Sequence, residues 1–452
     1  TNEANFRETP NVVGFGPNER YLGEAGQIKH KTNYKDTVTY ITRFLGLPPD
    51  SSLLDKERKF ITVSTETSGG GRLAFRVNYR GESQIFIAEE VVAAFLNKLR
   101  GILELNKISR DQPVVLSVPG YYNMFERKAL LDASLVAGIK VARLLNESSA
   151  VALDYGVSRR NEFQEKEARN ILFIDFGHSK LSLTTVAFTN SKIGVLSQYH
   201  ERNLGCRDID YLLLEFYRQY LLKTANGADL FENKKAVIKV MENIEKQRKI
   251  LSANSEHSLN MEYLLDDNDL TYTMKRDEFE RLAEPVFSKL FVALQKYKVE
   301  LELAGVKLNS IELVGGGTRI PAFIRLVQGL FKMEPTRTIN SSEAVAKGCA
   351  IMAAWKNPAF KPAEIALEEI NCNPVAAHWN SGRSIAYTGN LANINRRSFP
   401  EANSSTLFPA GCVVPAVKEL TIGSTQGSLD VYLSYEPPIA GFEPGIACYQ
   451  AA

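Results

Sequence analysis

The sequence is poor in the residues that build covalent or metal-held frameworks. Its 452 residues include 5 cysteines (Cys206, Cys349, Cys372, Cys412 and Cys448), an odd number with no CxxC pair. That pattern excludes a disulfide-dense scaffold and fits free thiols in a reducing compartment. The 5 histidines lie far apart and form neither HxH nor HxxxH, so no histidine metal pair is readable. Charge of one sign is lacking too: 54 basic and 52 acidic side chains leave a net charge of +2. A dedicated nucleic-acid binder would show a strong basic bias or patch. No apolar run approaches the ~18 residues that span a bilayer. The opening TNEANFRETP has neither a basic start nor an apolar core, so no signal peptide is visible. It also lacks an initiating Met, so the chain is expected to be part of a longer one.

What is present is a globular composition, 44% hydrophobic and 23% charged. At roughly 150 residues per domain the length suggests about three domains, or a bilobal unit and a smaller one. Residues 1 to 359 alternate strand-like and helix-like patterns, which argues α/β. PVVLSVPGYY (Pro113 to Tyr122) contains a short strand; Asn123 and Glu126 then have capping-box spacing ahead of a helix that stops at Gly138. ILFIDFGHSKLSLTTVAF (Ile171 to Phe188) reads as strand, tight turn, strand, and IELVGGGTRIP (Ile311 to Pro321) as strand, glycine turn, helix. The glycines at Asp175–Gly177 and at Gly315–Gly317 read as two lobes, each offering a loop to one cleft. SGGG (Ser68 to Gly71), before the alternating RLAFRVNY, is expected to be a hairpin turn. After Trp355 the pattern changes. KNPAFKPAEIALEEINCNP reads as a linker with one short helical turn. From Val375 the helical period disappears, and RSIAYTGN, SSTLFPAGCVVPAVKELTIG and GSLDVYLSY read as short strands of a small β domain. Its core is meagre, so it is expected to be incomplete.

Five places could carry chemistry. In AVIKVMENIEKQRKILSAN (Ala236 to Asn254), Val237, Met241 and Ile244 make an inward stripe, while Glu245, Arg248, Lys249 and Ser252 share another face. Such a face can hydrogen-bond a purine nucleoside while cationic stems stack on the base; it equally suits a solvated face with a Glu245–Lys249 ion pair. The triplet Gly315, Gly316, Gly317 lets backbone press against a flat ligand, or simply makes a tight connection. Asp175 ends a buried strand, where a carboxylate either holds Mg²⁺ through water or caps its own turn. Glu147, between a strand and a small-residue helix, is a second acid or a favourable N-terminal helix charge. His178 is an acid–base candidate by type, though its place suits a turn residue.

Together these segments resemble the nucleotide-binding domain of the heat shock protein 70 superfamily. VVGFGPNERYLGEAG, SVPGYYNMFERKALLDASLVAGIKVARLLNESSAVALDYG, LGCRDIDYLLLEFY, EKQRKILSAN, LVGGGTRIPAFIRLV and INSSEAVAKGCAIMAA occur in the family's order and spacing. FIDFGHSK and VVGFGPNERYLGEAG are similar to the 110-kilodalton branch, and LFPAGCVVP resembles the start of its β-sandwich. The resemblance implies an α/β, two-lobed actin-like ATPase fold with ribonuclease H-like lobes, followed by a partial all-β sandwich. The corresponding segments are 1–359 for the nucleotide-binding domain, 360–374 for a linker and 375–452 for the sandwich. It implies that Glu245, Arg248, Lys249 and Ser252 clasp the adenosine, with Gly315, Gly316, Gly317 and Arg319 as the opposite wall. Gly177, His178 and Ser179 would form the second phosphate loop, Gly205 and Cys206 would border the phosphates, and Asp175 and Glu147 would stand near Mg²⁺.

Four departures qualify this. The family's opening phosphate hairpin would lie before Thr1. The lysine that positions the attacking water falls on Thr42. The threonine and aspartate of the second loop fall on Lys180 and Ser182, where Lys180 would supply some compensating charge. The acid before EAVA falls on Ser342, which would still border the nucleotide. Since loss of one preorganised donor costs ~10²–10³ in rate, the chain is expected to be a poor ATP hydrolase. The implied function is that of a cytoplasmic chaperone and co-chaperone. It would bind ATP or ADP with Mg²⁺, open the cleft of a partner heat shock protein 70 to release ADP, and hold unfolded polypeptide, with no nucleic-acid or membrane partner. The alternatives are an ordinary ATP-hydrolysing chaperone and a nucleotide-free scaffold.

Overall fold

The structure, a computed structural model, describes residues 1–225, 227–265, 268–357, 360, 365–381, 403–417, 429–436 and 445–451. They fall into two compact units. The first comprises residues 1–26, 35–144 and 368–452, the second residues 27–34 and 145–367. This partition by packing differs from the partition by chain order at 359 and 375, which remains a proposal.

In the first unit the Val12–Phe15 strand pairs antiparallel with both Arg20–Leu22 and Thr37–Thr39. A second sheet carries Ser64–Thr67, Leu73–Tyr79 and Glu82–Ile87 in that order. The SGGG stretch is the expected hairpin turn, closed by Ser68 N–H to Arg72 O at 2.8 Å. The helices Ala88–Leu105 and Met124–Val136 cover a core that includes Phe15, Phe44, Phe75, Phe95 and Leu130. The second of these helices starts on the predicted capping box. Asn123 Oδ1 accepts from Glu126 N–H at 3.1 Å, and Glu126 Oε2 accepts from Asn123 N–H at 3.0 Å. It stops before Gly138, whose φ is 67°.

The expected small β region appears as a four-stranded antiparallel sheet in the order Asn403–Phe408, Val375–Ser381, Leu429–Tyr435, Gly445–Ala451. RSIAYTGN lies outside the described residues. The helical turn expected in the linker is corrected: Ala366–Ile370 is a strand. Its Glu369 is buried and ion-paired with Arg143, and Glu369 and Ile370 pair antiparallel with Val414 and Val413. Strand pairing and that ion pair override the helix propensity of alanine and glutamate.

In the second unit the strands Arg169–Phe176, Leu181–Phe188 and Lys192–Glu201 form an antiparallel meander. Ser310–Val314 adds parallel to Arg169–Phe176, with Val314 opposite Asp175. Ile171, Leu172, Phe173 and Ile174 are all buried, because both faces of this sheet are covered, and the strand therefore reads as a continuous apolar run. One face packs on a cluster with Ile209, Leu213, Tyr217, Ile244, Leu290 and Phe323. On the other, Phe173 meets Tyr155 edge-on with ring centres 5.3 Å apart, and Phe188 stacks on Phe163 at 5.1 Å.

The pairing corrects one expectation. The two glycine turns do not come one from each lobe. Both follow adjacent parallel strands of this unit, so they emerge at the same sheet edge. Parallel neighbours must end on the same side, and in open α/β sheets ligands bind at that carboxyl edge. The helices Glu147–Ser158 and Ala344–Lys356 pack closely, for a Cβ on Gly348 would lie 1.9 Å from Ala150 O. Among the described residues no helix is long and apolar enough to cross a membrane.

Candidate functional site

The turn after the Arg169–Phe176 strand is closed by Gly177 N–H donating to Lys180 O at 3.2 Å. Its carbonyls meet the start of the Cys206–Thr224 helix: Cys206 N–H donates to Gly177 O at 3.0 Å and Arg207 N–H to His178 O at 2.8 Å. The first amides of a helix lack partners within it, so turn and helix satisfy each other. Gly205 permits this approach. A Cβ there would lie 2.4 Å from His178 O and 2.5 Å from Ser179 Cα. Its own N–H is taken by Asp208 Oδ2 at 2.8 Å. Gly205 and Cys206 thus lie against the predicted loop, with their amides bonded inside the protein.

The glycine triplet divides into roles that sequence could not separate. Gly315 has φ 84°, and a Cβ on it would lie 2.5 Å from Asp175 Oδ1. A Cβ on Gly317 would lie 2.5 Å from the Phe176 ring and 2.6 Å from Cys206 Sγ. Both serve the chain's own packing. Gly316 is exposed, with nothing within 4 Å of its built Cβ, so it alone leaves room for a flat ligand. Arg319 ends this turn and is exposed. Its charge and, above all, burial lower the pKa of Arg337, which donates to Thr318 O.

Glu147 and Asp175 come together around a lysine. Lys180 Nζ hydrogen-bonds Glu147 Oε2 and lies 3.3 Å from Asp175 Oδ2. The three side chains are only 15%, 24% and 25% exposed in the order Lys180, Glu147, Asp175. This arrangement does not fit Mg²⁺ held through water by the two carboxylates, since an ammonium already uses their facing oxygens. A divalent ion ~4 Å from that ammonium would meet a repulsion of ~8 kcal/mol at an effective dielectric of ~20. Among the described residues no group of three or more His, Cys, Asp or Glu side chains is arranged to hold a metal.

The polar face of the Lys234–Leu251 helix is only partly as read. Glu245 and Lys249 pair at 2.7 Å and remain accessible. Burial would raise the Glu245 pKa, but Lys249, then Arg248 and His178, outweigh it and the shift is downward. Ser252 caps the helix end, its hydroxyl donating to Arg248 O at 3.0 Å. Arg248 is the correction. It is 6% exposed and turned into the core, where Nε and Nη2 reach the two Asp210 oxygens at 2.6 and 3.1 Å. Burial opposes its charge, and Asp210 more than restores it, so its pKa is raised. The inward stripe is correspondingly Val240, Ile244, Gln247, Arg248 and Leu251, with Val237 and Met241 at its flank. Asp210 was missed. Its signal was an acid standing at apolar spacing between Cys206 and Leu213, Leu214 and Tyr217 in CRDIDYLLLEFY.

Cys206 joins the two parts of the site: it touches the Gly317 position and feels the charge of Arg248. Burial pushes its thiol up to about 12, and that of Cys349 likewise to about 12. In native protein at pH 8 we expect both to resist a disulfide reagent and to react only after unfolding. A thiol raised on folding stabilises fully below its unfolded pKa near 9, and that contribution is lost as pH climbs through about 12. Rapid native labelling of Cys206 would contradict its burial.

The remaining positions are locally engaged. Ser342 is exposed, with its N–H on Asn340 Oδ1 at 3.1 Å. The Ser182 hydroxyl is 3.0 Å from His200 Nδ1. Thr42, in the first unit, accepts from Asn11 Nδ2 at 3.1 Å.

The family model described as Hsp70 protein matches residues 1–392. Heat shock protein hsp88 of Neurospora crassa is 33% identical over 440 residues, 97% of this chain and 60% of that protein. Heat shock 70 kDa protein 14 of Arabidopsis thaliana is 31% identical over 434 residues, covering 96% and 51%. The 97 kDa heat shock protein of Strongylocentrotus purpuratus is 33% identical over 380 residues, covering 84% and 43%. The chain thus spans about half the length of the curated relatives it matches. The α/β architecture, with two glycine turns at one sheet edge, is consistent with the actin-like ATPase fold of this family. The chain belongs to the heat shock protein 70 family, on its large, 110-kilodalton side.

Proposed function

We propose that this chain is the nucleotide-binding part, with the start of the β region, of a co-chaperone. It binds ATP or ADP as a structural ligand, hydrolyses little, speeds ADP release from a partner heat shock protein 70, and holds unfolded polypeptide in solution. The observation that supports this best is the convergence of the Gly177–Lys180 turn and the Gly315–Gly317 turn at one sheet edge. The polar end of the Lys234–Leu251 helix is joined to them through Cys206. Glu245, Lys249 and Ser252 would contact the nucleoside, with Gly316 and Arg319 facing it, while Arg248 braces the helix from the core.

Weak hydrolysis is supported by one residue in each unit, taken separately. Where the family resemblance expects a water-positioning lysine and a second-loop aspartate, Thr42 and Ser182 are already bonded to Asn11 and His200. A ligand that binds only the folded state stabilises it without turnover, by ~2.7 kcal/mol at about 100 times its Kd. Millimolar ATP or ADP is therefore expected to raise the unfolding temperature, with turnover far below that of an ordinary family chaperone. Gly316→Ala should leave the ligand-free midpoint within about 0.5 kcal/mol of wild type while shrinking the nucleotide-induced shift. Release of fluorescent ADP from a partner chaperone should accelerate when this protein is added; an unchanged rate would sink the exchange reading. A nucleotide-free scaffold is favoured by one observation, the Cys206 and Arg207 amides turned onto the loop carbonyls. Absence of any thermal shift with ATP or ADP decides for it.

A further inference from the structure

We infer that the Lys180 ammonium stands permanently where a divalent cation would otherwise sit, so that a nucleoside di- or triphosphate binds this turn without Mg²⁺. The inference rests on the nucleotide reading for its ligand, but its geometry belongs to the chain alone. Three elements build it. Glu147 is the first residue of the Glu147–Ser158 helix, a position where negative charge is favoured. Asp175 is the penultimate residue of its strand. Lys180 closes the Gly177–Lys180 turn, which brings its stem back beside Asp175.

The Asp175 carboxylate is held from behind, and Glu147 is fixed at its backbone. Glu147 is carried by a helix whose Ala150 backbone touches Gly348. Asp175 Oδ1 is walled by Gly315, a position with no room for a Cβ, and Oδ2 faces Lys180. Asp175 therefore has little room to withdraw on its Gly315 side. Mg²⁺ demands near-octahedral geometry and keeps several waters, so it needs more room and more free lone pairs than an ammonium, which donates three hydrogen bonds. Two of those directions are spent on Glu147 and Asp175. The tethered cation leaves the carboxylate pair with a net charge of about −1 instead of −2. That lowers the repulsion a polyphosphate meets on approaching the turn, while a cation held by a side chain cannot travel with the nucleotide.

The test uses the whole chain, with Mn²⁺ followed by electron paramagnetic resonance and ADP followed by titration. Wild type should bind ADP with a Kd that differs by less than about twofold between Mg²⁺ and EDTA. Lys180→Ser should gain one Mn²⁺ site absent from wild type, lose it again on adding Glu147→Gln, and bind ADP about tenfold more tightly with Mg²⁺ than with EDTA. Lys180→Arg, which keeps the charge if the serine variant folds poorly, should behave as wild type. A wild-type Mn²⁺ site abolished by Glu147→Gln, a Lys180→Ser variant that gains none, or wild-type ADP binding that requires Mg²⁺ would each overturn the inference. If no form binds ADP but Lys180→Ser gains the Mn²⁺ site, the lysine's replacement of the cation stands and the nucleotide reading falls.

Discussion

Asp210→Ala should destabilise the second unit by about 3–5 kcal/mol, a loss measurable by denaturant or thermal unfolding. The reason lies in what the substitution leaves behind. Arg248 is buried with its guanidinium against both Asp210 oxygens, and almost none of its side chain meets water. Removing the acid strands a cation in the core, and the desolvation cost of that cation is then unopposed. For a unit of this size the loss corresponds to a fall on the order of 10 °C in unfolding temperature. The paired change Asp210→Leu with Arg248→Met should recover most of it, because two apolar side chains of similar volume need no mutual charge. The pair also orders the site: Arg248 lies on the helix that presents Glu245, Lys249 and Ser252, and it acts on Cys206 under the glycine turn. A loss below about 1 kcal/mol for Asp210→Ala would mean that the guanidinium reaches solvent, and the account of this helix would fail.

Gly348→Ala carries the second large effect. The added methyl would meet Ala150 O at 1.9 Å, a backbone atom that cannot rotate away. The helices Glu147–Ser158 and Ala344–Lys356 would have to separate along their contact, exposing apolar surface that both now bury. Overpacking of a tight core costs about 1–3 kcal/mol, and a clash with backbone belongs at or above the upper end. Gly69→Ala and Gly70→Ala in the exposed hairpin turn have nothing within 4 Å and should be nearly neutral. Because Glu147 rides on the displaced helix, Gly348→Ala should also weaken the grip on Lys180. Equal unfolding midpoints for Gly348→Ala and the hairpin variants would show that the two helices are not in backbone contact.

The features legible in the sequence are those whose partners lie within a few residues. The capping box of Asn123 and Glu126 spans three positions. The hairpin at Ser68–Gly71 and the strand–turn–strand at Ile171–Phe188 are similarly local, as is the stop at Gly138. The family's ordered motifs extended this reading to the fold, because their spacing carries long-range information that no single segment holds. The polar stripe of the Lys234–Leu251 helix was half legible: Glu245 and Lys249 pair at one helical turn, as spacing implied, while Arg248 turns into the core.

The sequence alone determined the elements with local partners, their caps and turns, the α/β class and the family, since backbone hydrogen bonding and side-chain period act over short stretches of chain; the Ala366–Ile370 strand, paired with the distant Val413 and Val414, was not among them. Tertiary structure decided which polar groups are spent on one another. Arg248 meets an acid 38 positions away, and Lys180 one 33 positions away. Both choices follow from strand pairing and helix packing, which bring distant residues to one sheet edge, and from the cost of burying a charge alone, which obliges each to take the partner found there.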